Sequence, residues 1–107
     1  MIHVRWSATA FAVLESLPSK IAFEILGSTD RLAVFPELGV ALPPPYARFG
    51  NCRQLVFHRK YRLIYLHEAG ESEIKILLLQ QCPQQLPTRA ELHRTLKEMT
   101  LAEEESP

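Results

Sequence analysis

The chain has 107 residues, which is enough for one domain with a single hydrophobic core. Hydrophobic residues make up 47% of it, too many for a disordered chain, and its longest apolar run is far short of the ~20 residues that span a bilayer. The 12 basic and 12 acidic residues give a formal net charge of zero, which argues against a protein that binds polyanions with its whole surface. The first residues lack the pattern of a signal peptide, so the sequence predicts a cytoplasmic protein.

Two cysteines, Cys52 and Cys82, are too few for a disulfide scaffold of this size. We therefore predict that both are free thiols. The sequence contains neither a CxxC pair nor a His/Cys cluster with metal-ligand spacing. It predicts no metal site and no cofactor.

The first third of the chain predicts one strand and a helical hairpin. Residues 2–6 alternate as a short strand does, and Ser7 is suited to cap a helix over about 8–17. Pro18 fits the first turn of a second helix, which carries an apolar stripe and ends at Pro36. The two helices are expected to lie over an apolar surface.

The middle of the chain predicts a loop followed by three strands. Residues 36–50 hold four of the eight prolines, and the run 43–45 is expected to be stiff and extended. Strands are predicted over about 52–58, 61–67 and 73–81. The last of these has little polar alternation, which favours an interior strand covered on both faces.

The end of the chain predicts a third helix. Thr88 and Glu91 have the spacing of a capping box, and apolar residues at helical spacing follow over about 88–100. Residues 101–107 are predicted to form a flexible acidic tail, which leaves residues 1–100 as a single domain.

The predicted order is β-α-α-β-β-β-α, an α+β fold with the helices on one face of a small, twisted, mostly antiparallel sheet. The first strand should pair with the 52–58 or the 73–81 strand after the helical crossover. Alternation along the 61–67 strand places Arg62, Ile64 and Leu66 on one face, and Tyr61, Leu63, Tyr65 and His67 on the other.

Basic residues are concentrated between positions 48 and 62, where no acid interrupts them: Arg48, Arg53, Arg59, Lys60 and Arg62. A local patch of this kind can bind phosphate even on a neutral protein. The alternative is a solvated sheet edge. For Arg62 the alternative is an ion pair or a packing role within the sheet.

Five pieces of the sequence, in order and covering roughly residues 2–87, resemble the RelE/ParE toxins. They are Trp6-Ser7-x-x-Ala10, Pro36-Glu37-Leu38-Gly39, Cys52-Arg53-Gln54-Leu55, Tyr61-Arg62-Leu63-Ile64-Tyr65 and the strand from Ile74 to Leu79. The resemblance implies the toxin of a type II toxin–antitoxin system that inhibits growth. It also implies a cognate antitoxin protein as partner, in a toxin–antitoxin hetero-oligomer with no membrane contact.

The resemblance also implies a site. Arg62 would be catalytic if the protein is a nuclease, because a guanidinium stabilises developing phosphate charge. Arg53, Arg59, Lys60 and Arg62 would bind phosphate or the target. The histidine and arginines that end the last strand in many members are replaced here by Gln81, Pro83 and Gln84, and glutamine cannot transfer a proton near neutral pH.

Three functions remain open at this point. The missing terminal histidine and arginines, the Pro36–Gly39 piece and the neutral charge favour a ParE-like inhibitor of DNA gyrase. The first alternative is a RelE-like endoribonuclease that cuts mRNA on the ribosome. The second is a non-toxic member that only binds its antitoxin.

Overall fold

The computed structural model describes residues 2–46, 50–82 and 85–105. It contains three α-helices, five strands and one short 3-10 turn within that part of the chain. In chain order they are β1 (His3–Trp6), α1 (Ala8–Ser16), α2 (Ser19–Leu32), β2 (Val40–Ala41), the 3-10 turn (Pro44–Tyr46), β3 (Cys52–Phe57), β4 (Tyr61–Leu66), β5 (Glu73–Gln81) and α3 (Arg89–Glu105).

The five strands form one sheet in the order β1-β5-β4-β3-β2. Strand β1 pairs in parallel with β5, and every other pairing is antiparallel. This confirms the mostly antiparallel sheet, the interior position of β5 and one of the two partners predicted for the first strand. The helical hairpin supplies the crossover that a parallel pair requires.

Ser7 links the start of the hairpin to the sheet. Its hydroxyl accepts a hydrogen bond from the Ala10 backbone N–H at 3.0 Å, as a helix N-cap does, and donates to the Leu77 carbonyl at 2.7 Å. Pro18 is the residue just before α2, one position earlier than predicted, with φ −54°. Its ring fixes φ near the helical value, so a second helix can begin at once.

The helices lie on both faces of the sheet, and the prediction of one covered face was wrong. α1 and α2 pack on the side of Tyr61, Leu63 and Tyr65, whereas Leu92 and Met99 of α3 pack on the other side with Ile64, Leu66 and Leu77. This division confirms the two faces predicted for β4. The sheet needs the second layer because its apolar residues point both ways.

A register shift in β5 explains how one strand feeds both cores. Ile64 pairs with Leu78, but Tyr65, the next residue of β4, pairs with Ile76. Leu77 is therefore an extra residue, as in a β-bulge. Ile76 packs with the hairpin and Leu77 packs with α3, and both are fully buried.

Two predictions for the proline-rich loop need correction. The loop contains the edge strand β2, which pairs Val40 with Gln54, and Pro44–Tyr46 form a 3-10 turn instead of an extended run. The turn is closed by the Tyr46 N–H, which donates to the Pro43 carbonyl at 2.9 Å. A single backbone hydrogen bond is enough to override the weak preference of a short proline run for the extended form.

Helix α3 continues to Glu105, five residues beyond its predicted end, so the segment predicted as a flexible tail is helical as far as the structure describes it. The physical reason lies in Arg5 on β1. Its guanidinium donates to the Met99 carbonyl at 2.5 Å and lies 3.4 Å from the Glu103 carboxylate. A contact of this kind stabilises the last turns of a helix.

Candidate functional site

Arg62 of β4 lies on the α3 side of the sheet, the same side as Ile64 and Leu66. The strand register places Val56 and Gln80 directly opposite it on the two neighbouring strands. Arg62 is half-buried, and its Nη1 donates a hydrogen bond of 2.9 Å to Oε1 of Gln80. Sequence reasoning missed Gln80, although the alternation that placed Arg62 would have pointed to it had the register been known.

The surroundings of Arg62 suit charge stabilisation better than proton transfer. A guanidinium presents donors in a fixed fork that matches phosphate oxygens. Val56 is 51% exposed beside it, so this part of the sheet is open to a ligand. Of the two described residues paired with Arg62, one is apolar and the other is an amide, and neither exchanges a proton near neutral pH.

Gln81, which takes the place of the family's terminal histidine, does not lie beside Arg62 on the sheet. It pairs with Tyr61, and paired residues project to the same face, so its side chain lies on the opposite face from Arg62. Pro83 and Gln84, the other two positions singled out in the sequence, lie outside the described residues.

Arg53 also lies on the opposite face from Arg62. It pairs with Tyr65, and its Nη1 donates to the Gly39 carbonyl at 2.8 Å. Its Nε is buried without a hydrogen-bond partner among the described residues. Arg53 therefore holds the segment that follows α2, and it does not join Arg62 in one patch.

Arg59 and Lys60 lie at the exposed tip of the β3–β4 hairpin. The Lys60 N–H donates to the Phe57 carbonyl at 2.9 Å and closes the turn. His58 and Arg59 both adopt left-handed backbone conformations, with φ of 54° and 56°. Lys60 Nζ lies 5.5 Å from the centre of the Tyr61 ring. Both side chains are exposed, so these two cations can reach a target outside the protein.

The two histidines of the β3–β4 hairpin make their hydrogen bonds with groups other than Arg62. His58 Nε2 lies 2.5 Å from a carboxylate oxygen of Glu24 on α2, and His67 Nε2 lies 3.0 Å from the Glu71 carbonyl. Both side chains are therefore directed away from the Arg62 face, as alternation had predicted for His67. Neither is positioned in this conformation to serve Arg62 as a proton donor.

Both cysteines are free, as predicted, and only Cys52 is fully buried. Burial, with the Glu68 carboxylate as a smaller cause, raises the pKa of the Cys52 thiol to about 12, so it is not a nucleophile near neutral pH. Across the described residues, no cluster of three or more His, Cys, Asp and Glu side chains could hold a metal ion. No helix in that part of the chain is long and apolar enough to cross a membrane.

No family model and no curated protein matches the sequence. Solved structures do match. A chain of the intact E. coli RelBE toxin–antitoxin complex superposes with a TM-score of 0.65 at 10% identity, over 78% of this chain and 100% of that one. The isolated E. coli RelE toxin superposes with a TM-score of 0.63 at 12% identity, over 90% of this chain and 99% of that one. The protein therefore has the fold of the E. coli RelE toxin, as the sequence pieces led us to expect.

Proposed function

We propose that this protein is the toxin of a type II toxin–antitoxin system. The observation that carries the proposal is the RelE fold, which spans nearly the whole chain and is accompanied by five sequence pieces in the order typical of RelE/ParE toxins. Fold alone does not specify function, so the sequence pieces are needed beside it. The toxin would act in the cytoplasm and inhibit growth.

The proposed partner is a small antitoxin that covers exposed apolar surface. One of the structural neighbours reported above comes from a toxin–antitoxin complex. In this chain, Val34, Phe35 and Leu38 line a groove of about 510 Å³ where α2 leads into β2. Phe35 is 64% exposed, and an apolar groove of this size is suited to a peptide or helix of a partner.

As the target we favour DNA gyrase, which the protein would inhibit without cleaving RNA. Cleavage through the 2′-hydroxyl requires a group that protonates the leaving oxygen, which contributes roughly 10²–10⁴-fold in rate. Val56 and Gln80 beside Arg62 cannot provide it. Arg59 and Lys60, at the hairpin tip, would then bind the target protein and Arg53 would be structural.

A second candidate is ribosome-dependent mRNA cleavage, because one structural neighbour is the isolated E. coli RelE toxin. In that case Arg62 would be catalytic and would stabilise the charge on the phosphate. Arg59 and Lys60 would contact RNA. The proton would come from a group of the ribosome or from a histidine moved by binding.

Growth measurements test the toxin proposal. The chain is induced alone in a bacterial host, and then together with the small protein encoded beside its gene. We expect growth arrest in the first case and rescue in the second. Normal growth at a high level of folded protein, together with retained binding of the neighbouring gene product, would instead favour the non-toxic member that only binds its antitoxin.

A further inference from the structure

We propose that α2 docks on α2 of a second copy of this chain, as an antiparallel helix pair centred on Gly27. The inference does not depend on the toxin function. It begins with the side of α2 that faces away from the core. Phe23 is 73% exposed there, and Val34, just past the helix end, is 70% exposed.

These residues lie on one stripe of the helix. The exposed positions Phe23, Gly27 and Arg31 follow at intervals of four residues, which is the spacing of a single helix face, and the exposed Val34 follows in the turn after the helix end. The opposite side of α2 is fully buried at Ile25 and Leu32. The stripe therefore has no partner within the described chain.

Gly27 forms a notch in the middle of the stripe. Apart from its chain neighbours and the backbone of its own helix, no described atom lies within 4 Å of the position that a Cβ on Gly27 would occupy. Glycine destabilises the interior of an isolated helix, and none of the residues that the structure describes packs against this position from outside α2. A notch beside a protruding aromatic ring lets the backbone of another helix approach closely, as small residues do at helix crossings.

The stripe is complementary to itself when a second α2 runs antiparallel across Gly27. Phe23 lies four residues before the centre and Arg31 four residues after it, so each Phe23 ring meets the partner's Arg31, and a guanidinium stacks well on an aromatic face. Glu24 lies on the same flank as Arg31 and faces the partner's Arg31 as well. Two equivalent Glu24–Arg31 ion pairs follow from the two-fold symmetry.

Both charged residues can make this contact from their positions in the single chain. The Glu24 side chain is 49% exposed even with His58 beside it, and Arg31, which donates to Ser28 at 3.3 Å, is exposed. A pair of short helices buries less area than a standard interface of about 800 Å² per partner. The dimer should therefore be weak and dependent on concentration.

Charge reversal tests this pairing directly. Sedimentation velocity is measured on the full chain up to about 1 mM, a concentration at which weak specific pairs still form. We expect a species of twice the 12.2 kDa chain mass to increase with concentration. Glu24→Arg and Arg31→Glu, each alone, should raise the dissociation constant at least about tenfold, because they place like charges across the pair.

An equimolar mixture of the two single variants should dimerise again. In a dimer of one copy of each variant, opposite charges meet at both contacts between positions 24 and 31. Phe23→Ser should give a monomer with an unchanged circular dichroism spectrum. A wild-type chain that stays monomeric throughout, or single variants that dimerise like the wild type, would overturn the proposal. A mixture that fails to dimerise while both variants are folded would also contradict it.

Discussion

The Tyr65 hydroxyl accepts a hydrogen bond of 2.9 Å from the backbone N–H of Gly39, on the side of the sheet that the helical hairpin covers. The same hydroxyl donates to the Pro36 carbonyl at 2.7 Å. Tyr65 is fully buried, so one side chain at the centre of β4 fixes the segment between α2 and β2. Arg53 adds a third bond to this segment, at the Gly39 carbonyl.

We expect Tyr65→Phe to destabilise the protein by about 1–3 kcal/mol, because the Gly39 N–H and the Pro36 carbonyl lose a buried partner. Chemical denaturation measures the change in the free energy of unfolding. The matched control is Tyr46→Phe, which removes a hydroxyl that donates to the Pro87 carbonyl at a half-buried position, and should cost less. Equal losses in both variants would contradict the role assigned to Tyr65.

Two glycine substitutions should have opposite effects on stability. Gly27→Ala is expected to stabilise the protein by up to about 1 kcal/mol, since alanine favours a helix and its methyl group meets no atom. Gly39→Ala should destabilise it, because the new Cβ would lie 2.7 Å from the Gln54 carbonyl oxygen and 2.9 Å from the Tyr65 hydroxyl. Thermal denaturation of both variants at low concentration provides the comparison, and a stabilising Gly39→Ala would be inconsistent with the packing described.

Alkaline pH should destabilise the protein through Cys52. The thiol ionises at its ordinary pKa of 9.0 when the chain is unfolded and at about 12 when folded, so the unfolded state releases its proton first. The contribution of the Cys52 thiol to the free energy of unfolding is complete below pH 9. It is lost as the pH rises from there, by at most about 1.4 kcal/mol per pH unit. Cys52→Ala should therefore show a shallower decline between pH 9 and 11; a slope identical to that of the wild type would exclude this cause.

Arg5→Leu should release the end of α3. Its guanidinium bridges the Met99 carbonyl, Glu73 at 3.3 Å and Glu103. We expect faster amide hydrogen exchange beyond Met99 and little change around Leu92, which is fully buried. Arg5→Lys keeps the charge but not the forked geometry of the guanidinium, so its amide exchange rates should lie between those of the wild type and those of Arg5→Leu. Protection that is unchanged in Arg5→Leu would show that side-chain packing alone holds this end.

Much of the fold could be predicted because hydrophobic periodicity and capping residues report local structure directly. The alternation of side chains along β4 predicted both of its faces correctly. The scarcity of polar residues along β5 predicted its interior position in the sheet. The second helical layer was missed because a strand that is apolar on both faces does not say which element covers it. The short strand β2 and the end of α3 depend on distant contacts, from Gln54 and from Arg5, which no local pattern records.

The candidate site shows a similar limit. Arg62 was placed on the correct face, but Gln80, its partner on β5, was not predicted. The register between two strands depends on the whole hairpin and on the bulge at Leu77, and a shift by one residue transfers a side chain to the other face. For the same reason Arg53 and Arg62, although close in sequence, lie on opposite faces of the sheet.

The proposal that the protein inhibits DNA gyrase without cleaving RNA is tested most directly by mapping the ends of mRNA after translation on purified ribosomes in the presence of the purified protein. We expect no cleavage in phase with the codons above the background of a protein-free reaction, whereas a gyrase supercoiling assay with the same preparation should show inhibition that survives Arg62→Ala. Codon-phased cleavage that disappears in Arg62→Ala would contradict this account. It would establish the RelE-like nuclease instead.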